Sequence, residues 1–479
     1  MNALWTAAEV LAATGGNGPQ GWAAQGVSIN TRTLRPGDLF IALKGEKFDG
    51  HDYVNDAFSR GAAACIVMAG RAADASGPLV GVADTMRALY DLAGAARRRT
   101  DARVVAITGS VGKTSMKEGL AHILSAHAAR GSVHASEGNL NNQWGLPLSL
   151  TRLPVSARFA IFEIGMNHAG EIEPLSRLAK PHLALVTGVE ATHIGHFAGL
   201  EDIAYAKAEI FAGVAAGGTA IINAGSAHGD VLRAAARDAG CAHVLDYGFS
   251  GHDARVEVLR TDARGSEIRL TLAGRCVDAR LSVPGRHWAE NAAGLALAAH
   301  VLGMDPAEIA GALEGLSPLP GRGHRLTVGT GEHAFTLIDD AYNASPASMR
   351  AAIDVLSMMA PDPGGRRVLI VADMLELGEH GPALHRELAP LIADAGIDVV
   401  HTAGPLAGVL RDALPAEMRG RHAGDARALA AQAEELAAPG DVVLVKGSLG
   451  MGLAGVIEAL KSRHGTADGA QRQGGDVAL

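Results

Sequence analysis

Residues 104–118 read Val-Val-Ala-Ile-Thr-Gly-Ser-Val-Gly-Lys-Thr-Ser-Met-Lys-Glu. A β-branched run leads into a glycine loop, Gly109, Ser110, Val111 and Gly112, and Lys113, Thr114 and Ser115 then open a helix-forming stretch. Strand, glycine loop and helix, in that order, are the setting in which a backbone cradles phosphate. The glycines let main-chain N–H groups approach phosphate oxygens closely. The helix points its partly positive N-terminus at the same anion. Lys113 is placed to neutralise β- and γ-phosphates, and the hydroxyl of Thr114 or Ser115 to reach Mg2+. The loop is a shortened version of the fuller pattern, since Ile107 stands where that pattern has a glycine. These residues predict a chain that consumes a nucleoside triphosphate.

Further candidates lie downstream. Glu163 ends the apolar run Phe159-Ala-Ile-Phe-Glu. Ligands gather at the carboxyl ends of strands in open parallel sheets, so a carboxylate there suits Mg2+. The next loop, Gly165 to Ile172, brings Asn167 and His168 and fits a ligand-facing turn. His193, in Ala-Thr-His-Ile-Gly-His, is either a metal or proton-transfer ligand or an ordinary surface histidine. Lys207, with Glu209 nearby, reads on spacing alone as an exposed helical lysine. Residues 139–148 are dense in amides, among them Asn141 and Asn142. Amides satisfy sugars, phosphates and carboxylates without adding charge, or they cap the helix that follows.

A mainly parallel α/β architecture must position these groups. A length of 479 residues suggests roughly three domains. The first hundred residues form a small α/β unit, with strands at 38–43 and 64–68 closed by a helix at 85–99. Residues 101–316 hold the phosphate loop and alternate apolar runs (159–164, 183–187, 219–223) with helical text, as a parallel sheet covered by helices does. Residues 254–283 alternate polar and apolar and predict added antiparallel strands. A third unit, 317–462, repeats the α/β rhythm at 335–339, 368–372, 399–401 and 442–445. Residues 463–479, glycine- and glutamine-rich from Gly465, read as a disordered tail. A net charge of −9 argues against a general nucleic-acid surface. Three scattered cysteines, Cys65, Cys241 and Cys276, suit a reduced, cytoplasmic setting. Neither a signal peptide nor an apolar run of about 18 residues is evident.

Taken together, three blocks resemble the Mur ligases, which build the peptidoglycan stem peptide: Thr108–Glu118, Glu163–Ile172 and Pro284-Gly-Arg-His-Trp-Ala-Glu-Asn291. Four more stretches are most similar to the branch that joins D-alanyl-D-alanine to UDP-N-acetylmuramoyl-tripeptide: Pro36–Leu43 with Asp49-Gly-His51, Asn139–Asn142, Asp340-Ala-Tyr-Asn-Ala-Ser-Pro346 and Asp373–Gly378. The resemblance implies a three-domain ligase: a small α/β N-terminal domain for the UDP moiety, a central P-loop parallel sheet for ATP and Mg2+, and a Rossmann-like C-terminal domain for the amine. It implies that Gly109, Ser110, Val111, Gly112, Lys113, Thr114 and Ser115 hold phosphates, with His287 and Asn291 near adenine and Arg322 near the γ-phosphate. Asp340 and Asn343 are implied to face nucleotide from the third domain. Thr114, Glu163, His193 and Lys207 are implied metal ligands, Lys207 after carbamylation, with Lys113, Lys207, Arg322 and His193 as catalytic groups. Thr31, Arg32, Asn141, Asn142, Asn167 and His168 are implied substrate contacts. The expected reaction passes through an acyl phosphate, in a monomer. The sequence departs from the family at Asn30, where aspartate is usual, at Trp288, often asparagine, and at Leu449, frequently arginine.

Overall fold

The computed structural model describes residues 3–72, 74–192 and 194–465. Its N-terminal unit is built on four parallel strands in the order Gly26–Ser28, Asp38–Ile41, Ala64–Met68 and Leu79–Val82. Helix Thr85–Arg98 closes it. Asp84 caps this helix by accepting from the Arg87 N–H at 2.8 Å. Ala88, Leu89, Leu92 and Ala96 fall at helical spacing and pack the sheet.

The central unit carries a nine-stranded sheet. From its edge run Val133–Ala135, Phe159–Glu163, Arg103–Thr108, Leu183–Val186, Thr219–Asn223 and His243–Gly248, all parallel. Ala254–Asp262, Gly265–Leu272 and Arg275–Leu281 extend it, mutually antiparallel, as the alternation in that stretch predicts. From strand 103–108 the chain first fills one side of the sheet and then crosses to the other. The residues after strand 103–108 therefore sit at the reversal of strand order, where a crevice opens. Apolar residues bury both faces, with Val105 and Ile107 on one side and Val104 and Ala106 on the other.

The C-terminal unit has six strands, ordered His324–Val328, Phe335–Asp340, Val442–Lys446, Arg367–Ala372, Val399–Ala403 and Arg419–Ala423, with only the first pair antiparallel. Its last helix, Ala454–His464, passes the boundary read at 462. Val456, Ile457 and Leu460 are buried against the domain core and hold the helix to its end. Of the expected tail, residues 466–479 lie outside the described part.

Candidate functional site

The phosphate loop leaves strand 103–108 at Gly109, whose φ is +148°. A Cβ there would stand 1.8 Å from Thr187 Oγ1, so no side chain fits. Gly112, at φ +87°, precedes helix Lys113–His127. The loop between is fastened to its neighbour: Thr187 Oγ1 donates to the Val111 carbonyl at 2.5 Å, and the Ser110 N–H to the Gly188 carbonyl at 3.0 Å. A Gly109→Ala change is therefore expected to deform the cradle and weaken ADP binding by about 10²-fold, read by calorimetry, because both the steric clash and the backbone conformation oppose it.

Lys113 folds back over the loop, its Nζ donating to the Gly109 carbonyl at 2.8 Å. Burial pushes its ammonium below the ordinary lysine range; Glu163 opposes this shift and Arg322 adds to it. Thr114 Oγ1 donates to Glu163 Oε2 at 2.7 Å, and Asn141 Nδ2 donates to Glu163 Oε1 at 2.7 Å. Glu163 ends its strand and is 2 % exposed. From the C-terminal domain, Arg322 Nη2 reaches Thr114 Oγ1 at 2.9 Å, its guanidinium 4.1 Å from the Tyr342 ring centroid. Lys207 is buried on helix Leu200–Ala208 and does not line the cleft. Its pKa lies well below the ordinary lysine value, first through burial and then through the charge of Lys113. Among the described residues no carboxylate pairs with it.

The cleft has a volume of about 910 Å³ and lies between the carboxyl ends of the central and C-terminal sheets. On the C-terminal side Asp340 and Lys446 end adjacent strands, with Lys446 Nζ 2.7 Å from Asp340 Oδ2 and 3.0 Å from the Asn343 carbonyl. Burial and the nearby Lys446 hold His287 down at about 4, so its ring is neutral near pH 7 and can take part in neutral hydrogen bonds. A second cleft, about 1090 Å³, opens between the N-terminal and central domains and is lined in part by Thr31, Arg32, Phe48, Tyr53, Trp144 and Arg152.

The cleft between the central and C-terminal sheets thus gathers Ser110 through Ser115, Asn141, Glu163 and Asn167 from the central domain. His287 and Asn291 join from its last long helix, and Arg322, Asp340 and Asn343 from across the cleft. Asn142 serves as a cap, its Oδ1 accepting from the Gly145 N–H at 2.9 Å. His168 is exposed, 3.1 Å from Glu171, and meets the His196 ring at a tilt of 52° with a centroid spacing of 4.8 Å. His193 lies outside the described residues. Thr187, Tyr342 and Lys446 line the same cleft, and none belongs to the site residues that the motifs imply. Their position at or just beyond strand ends is the signal that would have found them.

A divalent ion fits this chemistry. No group of three His, Cys, Asp or Glu side chains is preassembled among the described residues. Thr114 and Glu163 offer hard oxygens beside the phosphate cradle, and Mg2+ binds through one or two such ligands plus substrate phosphates.

Comparison with known proteins gives the same picture along the chain. Residues 24–97 match the pattern described as Mur ligase family, catalytic domain. Residues 107–299 match the Mur ligase middle domain, and 324–449 the Mur ligase, glutamate ligase domain. The chain is 38 % identical over 441 residues to the UDP-N-acetylmuramoyl-tripeptide–D-alanyl-D-alanine ligase of Escherichia coli, covering 91 % of this chain and 93 % of that one. It is 34 % identical to the protein of that name from Bacillus subtilis, over 91 % and 93 %. A crystal structure of MurF from Acinetobacter baumannii superposes with a TM-score of 0.82 at 30 % identity, over 96 % and 99 % of the two chains. MurF ligase from Thermotoga maritima in complex with ADP gives 0.74 at 25 % identity, over 91 % and 97 %. With identities above 30 % over nine-tenths of its length and all three domain patterns in order, the chain belongs to the Mur ligase family.

Proposed function

We infer that this protein joins D-alanyl-D-alanine to UDP-N-acetylmuramoyl-tripeptide at the expense of ATP, in peptidoglycan precursor synthesis. One observation supports this above the others: Arg322 of the C-terminal domain reaches Thr114, the phosphate-loop residue bonded to Glu163, across a single cleft. Phosphate-binding groups from two domains converge there, as transfer between two anions requires. The free carboxylate of the tripeptide attacks the γ-phosphorus of ATP, the bond to the ADP oxygen breaks, and an acyl phosphate forms. The amine of the dipeptide then attacks the acyl carbon, loses a proton and expels inorganic phosphate. Carboxylate and triphosphate repel each other, and Lys113 and Arg322 offset that repulsion while the transferring oxygens gain charge. Mg2+, held by Thr114 and Glu163, would neutralise further phosphate charge. Closure of the C-terminal domain excludes water from the acyl phosphate.

In this reading the first domain seats the UDP moiety in the cleft that Thr31 and Arg32 line, the second seats ATP and Mg2+, and the third receives the dipeptide. His193 joins the metal set, and Asn141, Asn167 and His168 face substrate. Lys207 acts as a carbamate: its neutral amine adds to the carbon of CO2 and gives up a proton, which puts an anionic oxygen ligand where an uncharged amine stood. The enzyme works as a cytoplasmic monomer, and no described helix is long and apolar enough to cross a membrane.

Purified protein supplied with ATP, Mg2+, the UDP-linked tripeptide and D-alanyl-D-alanine is expected to release ADP and a product heavier by the dipeptide less one water. ADP release that ignores the dipeptide sinks the assignment, and a panel of other amines reads the specificity directly.

A further inference from the structure

One helical turn beyond Lys113 lies a second lysine that the reaction above leaves unused. The side chain of Lys117 has 0 % exposure. Its ammonium donates to the Ser136 carbonyl and, at 3.2 Å, to the Gly138 carbonyl, and stands 2.8 Å from a Glu118 carboxylate oxygen. Two main-chain carbonyls thus accept hydrogen bonds from it and the Glu118 carboxylate adds an ion pair. An apolar side chain of similar volume would avoid the desolvation that this cation pays, so packing alone gives no reason for a lysine here.

The segment it grips is a wall with two faces. Glu137, Gly138 and Leu140 line the N-terminal cleft, whereas Asn139 and Asn141 line the nucleotide cleft. On the nucleotide side Ser136 Oγ accepts from the Glu163 N–H at 3.3 Å, and Asn141 holds the Glu163 carboxylate. On the opposite side Arg152 donates to Glu137 at 2.8 Å and, through Nε, to the Val27 carbonyl of the N-terminal sheet at 2.8 Å. The helix that starts at the phosphate loop is therefore tied through Lys117 to the lining of both clefts.

We propose that Lys117 is a positioning residue: it fixes the wall 136–141, and so sets the spacing between the nucleotide's phosphates and the UDP-linked substrate. This rests on the ligase reading. The reacting carboxylate must come within about 3–3.5 Å of the γ-phosphorus, and a wall that drifts misplaces both partners together.

The test is Lys117→Met in the full-length enzyme, with KM and kcat measured separately. KM for the UDP-linked tripeptide is expected to rise about tenfold and kcat to fall by about the same factor, as misplacement of reactants predicts. A variant that is only less stable has a smaller active fraction, so kcat falls while KM stays put. Unchanged KM values in folded K117M overturn the proposal. A second measurement needs no variant. In the wild-type protein, backbone hydrogen exchange at Leu140 and Asn141 should slow about tenfold when either ADP with Mg2+ or the UDP-linked tripeptide binds alone. Protection by only one ligand, or by neither, also overturns the shared wall. Failure of the wild-type enzyme to form the amide would instead remove the ligase reading, so the two failures are distinguishable.

Discussion

Replacing Lys113 by methionine is expected to lower kcat/KM for ATP about 10³-fold, roughly 4 kcal/mol of transition-state stabilisation. Methionine keeps the unbranched stem to the ε position and removes the charge and donors. The ammonium lies over the phosphate cradle, 2.8 Å from the Gly109 carbonyl, and is partly desolvated, so its field on a transferring phosphoryl group is poorly screened. The same charge helps keep Lys207 below the ordinary lysine range. Removing it lets Lys207 recover part of its basicity, which disfavours the neutral amine. Effects of Lys113→Met and Lys207→Met on turnover should therefore be less than additive in a double-mutant cycle. Full additivity would show that the two lysines act independently. Steady-state kinetics with varied ATP checks the first claim; a loss under tenfold contradicts it.

The second large effect is expected at Lys207. Changing it to alanine should cost about 10²–10³-fold in kcat, the range for losing one preorganised charged group. Short carboxylic acids should restore part of the rate by supplying the missing oxygens, and removing dissolved CO2 should slow the wild-type enzyme. Turnover at the wild-type level in Lys207→Ala excludes the carbamate. The stability of the unmodified protein should move the other way. Burial depresses the folded pKa of Lys207, so the unfolded chain binds more protons between that value and about 10.4. Stability then rises with pH across this window and falls as pH drops from its upper to its lower limit. Lys207→Met removes the buried polar amine and should raise Tm by about 2–4 °C near neutral pH while costing activity as Lys207→Ala does. A lower Tm would mean that an unmodified lysine is stabilising there.

Much of this arrangement is readable from the chain. Strands Ala64–Met68, Thr219–Asn223 and Phe159–Glu163 are continuous apolar runs because they are buried on both faces. The phosphate loop announces itself by glycine spacing. Other elements hide for physical reasons. Val133–Ala135 is a three-residue edge strand of half-buried residues, and Arg419–Ala423 is an edge strand with three basic side chains and a glycine. Neither needs an apolar pattern when one side faces water. Lys207 reads as a surface lysine because helical spacing reports a face and not what covers it. Asn141 and Asn142 are neighbours of the same type, yet one grips Glu163 and the other caps helix Gly145–Thr151. No local signal separates them. The Asp340–Lys446 pair joins residues 106 positions apart, and only the adjacency of two strands brings them together.

Arg322 belongs to the C-terminal body, while the hydroxyl it meets belongs to the central one. Swinging the third domain outward would withdraw a guanidinium from the terminal phosphate and leave the loop with Lys113 alone. An open enzyme could then hold its nucleotide without cleaving it, and wasteful hydrolysis would be throttled until the last reactant drew the two halves shut.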